Sequence, residues 1–393
     1  MTIAKKSIHS SGPRPILWMV LFFTLLVSSC TTEKTDIDTS ADSRPYSFGQ
    51  RIELEGTSSD GHMDGETRIV WLGEKLHFYA TDKQSTLRVY DNEGLLRYAR
   101  SFSEISERHG IETVFSVVLN SDSTITALAQ SVDGYVIFES LIGRDSVTVS
   151  SISLDSLLPY ALPTLLDLAK LDDDRYICPI QYFNPGFSPT NDIWERKFSC
   201  PTIAVLKRTR AGFEIERFLG GFHNSFRLGK SYYDVDGSGY FVSPSSYYCS
   251  FLFENRISVI DCQTGDTARK IELGEIDEST LSQFNFARIQ DMLFIREYYY
   301  TQPRYRYLWA DSDGDTVIRM FIPPGPKSLR YEKYSRKNWQ LIVKSKDSDQ
   351  VRYSFNGNRF FSDVFLVENS KSIWLREADS SKRNVVLRRV SLD

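Results

Sequence analysis

Short runs rich in β-branched and aromatic residues recur along the chain, each split by a tight polar turn. RIVWLGEKLHFYA (68–80), FSVVLNSDSTITALA (115–129) and LLDLAKLDDDRYICPI (165–180) read strand, turn, strand. SYYDVDGSGYFVSP (231–244), FNFARIQDMLFIREY (284–298) and SDVFLVENSKSIWLRE (362–377) read the same way. A second hairpin follows most of these, as LRVYDNEGLLRYARSF (87–102), ISVIDCQTGDTARKIEL (257–273) and YLWADSDGDTVIRMFI (307–322). Asp opens such a turn and Gly accepts its positive φ. Weaker copies are YVIFESLIGRDSVTVSSI (135–152) and IAVLKRTRAGFEIERF (203–218). Five repeats therefore show four strands (A to D) and the sixth shows three. No long amphipathic helix intervenes, and Leu154 to Leu158 offers a single turn.

Four-stranded units of roughly 40–50 residues, repeated around a ring, are the pattern of a β-propeller. A TIM barrel or Rossmann fold needs helices between its strands. The predicted fold is all-β, a six-bladed propeller whose last blade is closed by the N-terminal strand. YSFGQRIELEG (46–56) alternates apolar and polar residues and is the strand to pair with Asn384 to Ser391. Closure removes the unpaired edges that invite aggregation. Two insertions disturb the rhythm, at 181–199 and roughly 323–359, the second holding a hairpin of its own (NWQLIVKSKDSDQVRYSF).

The pattern changes before residue 45. Lys5, Lys6 and Arg14 precede an apolar run from Ile16 to Val27, then Val27-Ser28-Ser29-Cys30. A basic start, a short apolar stretch and small residues before the cut make a secretory signal over 1–29. The run is too short to span a bilayer, which takes roughly 20 apolar residues. Small residues directly before a cysteine resemble a lipobox, which implies acylation of Cys30 and a membrane partner reached through that lipid. Thr31 is not the aspartate that retains some lipoproteins at the inner membrane, which points to the outer one. Residues 30–44 are small, polar and charged and read as a flexible tether. The propeller domain is then 45–393.

Losing residues 1–29 removes three basic residues and no acidic one, moving the formal charge from −4 to −7. Such a surface has no electrostatic basis for holding nucleic acid, whose phosphates need neutralising. Beyond Cys30 the cysteines are Cys178, Cys200, Cys249 and Cys262. Their spacing holds no CxxC pair for zinc or redox chemistry. Cys178 and Cys200 bracket the first insertion, where strands B and C of the third blade are neighbours, and form the candidate disulfide.

Blade rhythm and lipobox together resemble the uncharacterised six-bladed β-propeller lipoproteins of Gram-negative envelopes, the TolB-like propellers and families of unassigned function. No Trp-Asp repeat, kelch glycine pair or Tyr-Trp-Thr-Asp motif is present, so only Cys30 is matched residue by residue. The resemblance implies an envelope location and no particular chemistry.

Ligand sites of propellers gather where B-to-C loops and blade-to-blade connections share one face. His62, His109 and His223 fall in such connections. Asp60, His62, Asp64 and Glu66 alternate in DGHMDGE, a pattern for a transition metal or acid–base chemistry, or for plain turns. DSDGD (311–315) has the start of a calcium loop but no bidentate Glu, and reads as a tight turn. Aromatics are dense: 25 Phe, 21 Tyr and 6 Trp. REYYYTQPRYRYLW (296–309), SSYYCSF (245–251) and the first insertion place Trp194, Tyr247, Tyr248, Tyr299, Tyr300 and Tyr305 at B-to-C positions, with Tyr182, Phe183, Arg296, Arg304 and Arg306 beside them. Tyr and Arg suit recognition of sugars, peptides or proteins, or else pack between blades. No G-x-S-x-G, H-E-x-x-H or phosphate loop is present. The expected function is a non-enzymatic binding module for an envelope protein, peptide or glycan, without cofactor. The competing one is a metal-dependent polysaccharide lyase or hydrolase using the His62/His109/His223 face.

Overall fold

The computed structural model describes residues 43–54, 67–81, 86–153, 162–165, 168–183, 201–221, 239–243, 245–282, 288, 291–311, 313–325, 338–377 and 384–392. The signal and Cys30 lie outside them, as do Asp60, His62, Asp64, Trp194, Cys200 and His223.

The described chain is all-β apart from two short helices and a 3-10 turn. One sheet holds β2 (Thr67–Leu72), β3 (Lys75–Thr81), β4 (Thr86–Tyr90) and β5 (Leu96–Ser101), in that order. Next come β6 (Ile111–Leu119), β7 (Thr124–Ser131), β8 (Gly134–Leu141) and β9 (Val147–Ser153). The third run has β10 (Leu162–Leu165) and β11 (Ala169–Lys170) both on β12 (Arg175–Phe183), then β13 (Ile203–Thr209) and β14 (Gly212–Leu219). A parallel contact of two residue pairs, Phe213 with Ile152 and Glu214 with Ser153, joins this run to the previous one as a nine-stranded sheet. A further sheet is β15 (Gly239–Val242), β16 (Ser246–Ser250), β17 (Arg256–Asp261) and β18 (Thr267–Glu272). Another is β19 (Arg304–Ala310), β20 (Thr316–Ile322), β21 (Trp339–Ser345) and β22 (Val351–Phe355). The last has β23 (Phe360–Asn369), β24 (Ser372–Glu377), β25 (Val385–Ser391) and, as its outer strand, β1 (Ser47–Leu54). Lettering each run A to D in chain order makes β1 the D strand of the last sheet.

The N-terminal strand pairs antiparallel with β25 from Ser47–Ser391 to Leu54–Val385, as its alternation predicts. The fold also takes up residues assigned to the tether. Ser43 bridges Arg352 in parallel, and Arg44 N–H donates to Arg352 O at 2.8 Å.

Hydrophobic clusters lie between sheets. Phe78 and Tyr79 are consecutive on β3 and point to opposite faces, as strand period two requires. Phe78 packs with Leu54, Trp374 and Leu387 of the last sheet, whereas Tyr79 packs with Val117, Ile125 and Phe138 of the next. On β7, Leu128 likewise joins Tyr176 and Leu206, while Ala127 and Ala129 face the other way. Sheets covered by neighbours on both faces, one after another, make a β-propeller-like arrangement.

Aspartates fix the turns. Asp91 Oδ1 accepts from Glu93 and Leu95 N–H, and Asp172 Oδ1 from Asp174 and Arg175 N–H. The N–H groups of Thr264 and Gln263 hold the Asp261 carboxyl below the usual carboxylate range. DSDGD is such a turn: Gly314 N–H donates to Asp311 O, and Asp311 Oδ2 accepts from Thr316 N–H.

Three strand readings are corrected. FNFARIQDMLFIREY contains no hairpin among the described residues; Met292–Thr301 is a helix, α2. Asp291 caps it by accepting from Leu293 and Phe294 N–H, local bonds that settle a segment whose aromatics suit either helix or strand. YLWADSDGDTVIRMFI is accordingly an A–B hairpin, and the hairpin at 338–355 supplies C and D rather than interrupting the sheet. Finally, β15 pairs with β16, so the chain reverses between Val242 and Ser246, and Ser246–Ser250 of SSYYCSF is a B strand.

Candidate functional site

Antiparallel order makes successive turns alternate ends. Four strands return the chain to the end where it entered, so B–C loops and sheet-to-sheet connections share one face. Two connections there carry helices. The first is α1 (Ser103–His109), held down by buried Phe102 and Ile105 and ended by Gly110 at φ 62°. His109 stands exposed in its last turn, where a basic side chain complements the helix dipole.

The second, between β18 and β19, is longer and carries α2. A small apolar core of Leu252, Phe253 and Tyr298, flanked by Leu281, Phe294, Ile295 and Tyr299, seats α2 on the B–C loop 251–255. Tyr298 OH donates to Ser282 O at 2.9 Å, and Gln302 Oε1 accepts from Ser282 N–H at 3.0 Å. Arg304 donates to Tyr299 O, and Gly325 N–H donates to Tyr300 O. At the other end Arg288 pairs with Asp291 and lies 4.3 Å over the Phe294 ring. Leu293 projects outward, 63% exposed.

Below the loop lies a buried polar cluster between two sheets. Arg319 on β20 is fully buried; its Nη1 donates to Leu273 O at 2.9 Å and its Nη2 to Phe251 O at 2.8 Å. Its guanidinium stacks 3.5 Å from the Tyr305 ring centroid. Burial pushes its pKa down to about 9, against the pull of Tyr305, Glu254 and Cys249, so it is charged at neutral pH. Tyr305 OH donates to Asn255 Oδ1 at 2.6 Å and accepts from Glu275 N–H at 2.6 Å. A side chain on Gly274 would collide with that hydroxyl, so the backbone passes there only as glycine.

This geometry redistributes the aromatic candidates. Tyr247, Tyr248, Tyr300, Tyr305 and Arg304 are buried instead of offering contact area, and Tyr248 and Tyr305 pack between two sheets. Tyr299 differs: it is half-buried, and its hydroxyl has no hydrogen-bond partner among the described residues. Sequence reasoning missed Arg319, Asn255 and the helix cap. The signal for the cap was Asp291 directly before the apolar run Met292 to Ile295. Nothing in the pattern distinguishes Arg319 from any other strand arginine.

The His62/His109/His223 set is not assembled by the described residues, which contain only exposed His109. They hold no cluster of three His, Cys, Asp or Glu able to bind a metal. Cys178 is buried on β12 with Ala204 as its cross-strand neighbour, and its candidate partner Cys200 lies outside the described residues.

The chain is therefore a propeller-like protein, and comparisons with known proteins agree on fold. No family model and no curated protein matches the sequence. Among solved structures it resembles a member of the DUF4221 family from Bacteroides vulgatus, with TM-score 0.61 and 12% identity, over 89% of this chain and 99% of that one. It also resembles a protein from Bacteroides fragilis whose name describes it as exported, with TM-score 0.50 and 12% identity, over 89% and 95% of the two chains. Identity this low shows the fold alone.

Proposed function

We propose that this chain is an exported, Cys30-lipidated, six-bladed propeller of the outer membrane that acts as a non-enzymatic binding module. The nine-stranded sheet counts as two blades, because only two residue pairs join its halves and each half is an antiparallel run of its own. The export signal supports the location, as does the likeness to a structure whose name describes an exported protein.

The α2 connection carries the binding reading. A long link that builds a helix, gives it a private core and leaves Leu293 outward is an elaboration that ring closure does not require. Val132, 75% exposed in a B–C turn, adds apolar surface on the same face. The ligand class is an envelope protein, peptide or glycan.

A photo-crosslinking residue placed at 293 in cells should yield a discrete adduct, while one at 92, in a C–D turn, should not. Adducts at 92 alone would put the binding surface on the opposite face. With the adduct's partner in hand, Trp194→Ala and Tyr299→Ala should each weaken binding by about 1–3 kcal/mol.

A further inference from the structure

We propose that the face formed by the A–B and C–D turns lies against the bilayer that holds the anchor, with Trp71 entering the lipid headgroup layer. The inference rests on the reading of Cys30 as the lipidated residue and adds the orientation of the domain.

Two observations meet on this face. The first is where the tether leaves the fold. Ser43 is bridged to Arg352, the second residue of β22, just past the C–D turn between β21 and β22. Thirteen residues lead from Cys30 to Ser43. Fully extended they reach roughly 45 Å, so the domain is held near the bilayer by its C–D side.

The second is the distribution of exposed apolar side chains. Trp71 is 44% exposed beside the A–B turn of the first sheet, Leu95 (39%) stands in its C–D turn with Leu96 (40%) next to it at the start of β5, and Leu141 (38%) ends β8 at the next C–D turn. Each lies in or beside a turn and stays exposed, Trp71, Leu96 and Leu141 as paired residues at strand ends, so blade packing does not call for an apolar side chain there. Tryptophan is the side chain best suited to the boundary between water and lipid. The same face carries acidic turns at Asp311, Asp313, Asp315, Asp347 and Asp349. These resist anionic headgroups, so contact rests on apolar insertion and favours zwitterionic lipid. The opposite face, with α2, then points away from the membrane, free for its ligand.

The test uses full chain purified from membranes and reconstituted into phosphatidylcholine vesicles with brominated acyl chains. Co-flotation reports the anchor, and quenching of tryptophan fluorescence reports the face. Trp339 and Trp374 are buried and shielded from the quencher. We expect quenching to fall by roughly half in Trp71→Phe, and to fall similarly in Leu95→Glu with Leu141→Glu while flotation is kept. Protein that floats but is not quenched, or quenching unchanged by Trp71→Phe, overturns the proposal. If the chain does not float, the Cys30 reading has failed. A chain with a His-tag in place of residues 1–30, on nickel-chelating brominated vesicles, then decides the face by the same quenching criterion.

Discussion

Arg51 Nε on β1 donates to Glu377 Oε2 on β24 at 2.8 Å, although 326 residues separate them. Arg388 on β25, lying between these two strands, donates to the other oxygen at 2.8 Å. One carboxylate thus fastens both ends of the chain. Burial pushes Glu377 up, but the bonds from Arg51 and Arg388 outweigh it and hold the carboxyl below its ordinary value of 4.5. A folded-state pKa below the unfolded one contributes stability that is complete above the unfolded value and is lost as pH falls through the folded one. Glu377→Gln should therefore lower stability by about 1–2 kcal/mol at pH 7 in urea titrations. The gap from wild type should narrow steadily as pH drops below about 4.5. A gap of constant size would mean that shape, and not charge, makes the fastening.

Closure by β1 can be tested by truncation. Removing 31–42, a polar stretch that the sequence reading assigns to the tether, should leave the melting temperature almost unchanged. Removing 31–54 also strips β1 from β25 and takes buried Ile52 and Leu54 from the cluster of Phe78, Trp374 and Leu387. Burying a side chain of that kind contributes about 1.5–3 kcal/mol, so the longer deletion should lower the melting temperature by many degrees or abolish folding. Equal behaviour of the two truncations, followed by scanning calorimetry, would show that the last sheet stands without β1.

The blade rhythm was legible where apolar alternation and an Asp-led turn agreed, as at 87–102 and 257–273. There the local chemistry and the sheet demand the same thing. It failed at 284–298, because Phe, Ile and Tyr serve a helix packed on a loop as readily as a strand. That error moved the next hairpin by half a blade and turned the strands at 338–355 into an apparent insertion. The candidate site suffered the same way. A run of tyrosines signals a surface or a core with equal force, and only the neighbouring sheet decides. Tyr305 became core because Ile257, Val259 and Leu273 of the neighbouring sheet pack with it.

The described thiols give a prediction on reactivity. Burial pushes the Cys249 thiol up to about 12, with the Glu254 charge adding to it, and Cys262 up to about 11. Thiolate is the attacking form, so neither should react at neutral pH. Maleimide labelling read by peptide mass mapping should leave both unmodified in native protein and modify both in urea. Labelling of native Cys249 would mean that the B strand of its sheet opens readily.

Arg319 supports the last prediction. Its two bonds reach the carbonyls of Phe251 and Leu273, one in the B–C loop beneath α2 and the other just past β18. Both bonds cross from one sheet to its neighbour, so the guanidinium joins two blades and sets the loop on which the helix rests. Arg319→Met keeps much of the volume and the contact with Tyr305 but leaves two buried carbonyls without a donor. A buried carbonyl left without its donor typically lowers stability by about 1–3 kcal/mol. Arg319→Lys restores the charge but not the planar fork, and an ammonium cannot reach both carbonyls with the same geometry, so it should recover little. Hydrogen exchange separates this role from bulk packing. In Arg319→Met the amides of 251–255 and 273–276 should exchange faster than those of β2 to β5, which lie in another sheet. If exchange rises evenly over the whole chain, or stability falls by less than about 1 kcal/mol, the guanidinium is filler between the blades and the loop is held by Asn255 and Tyr305 alone.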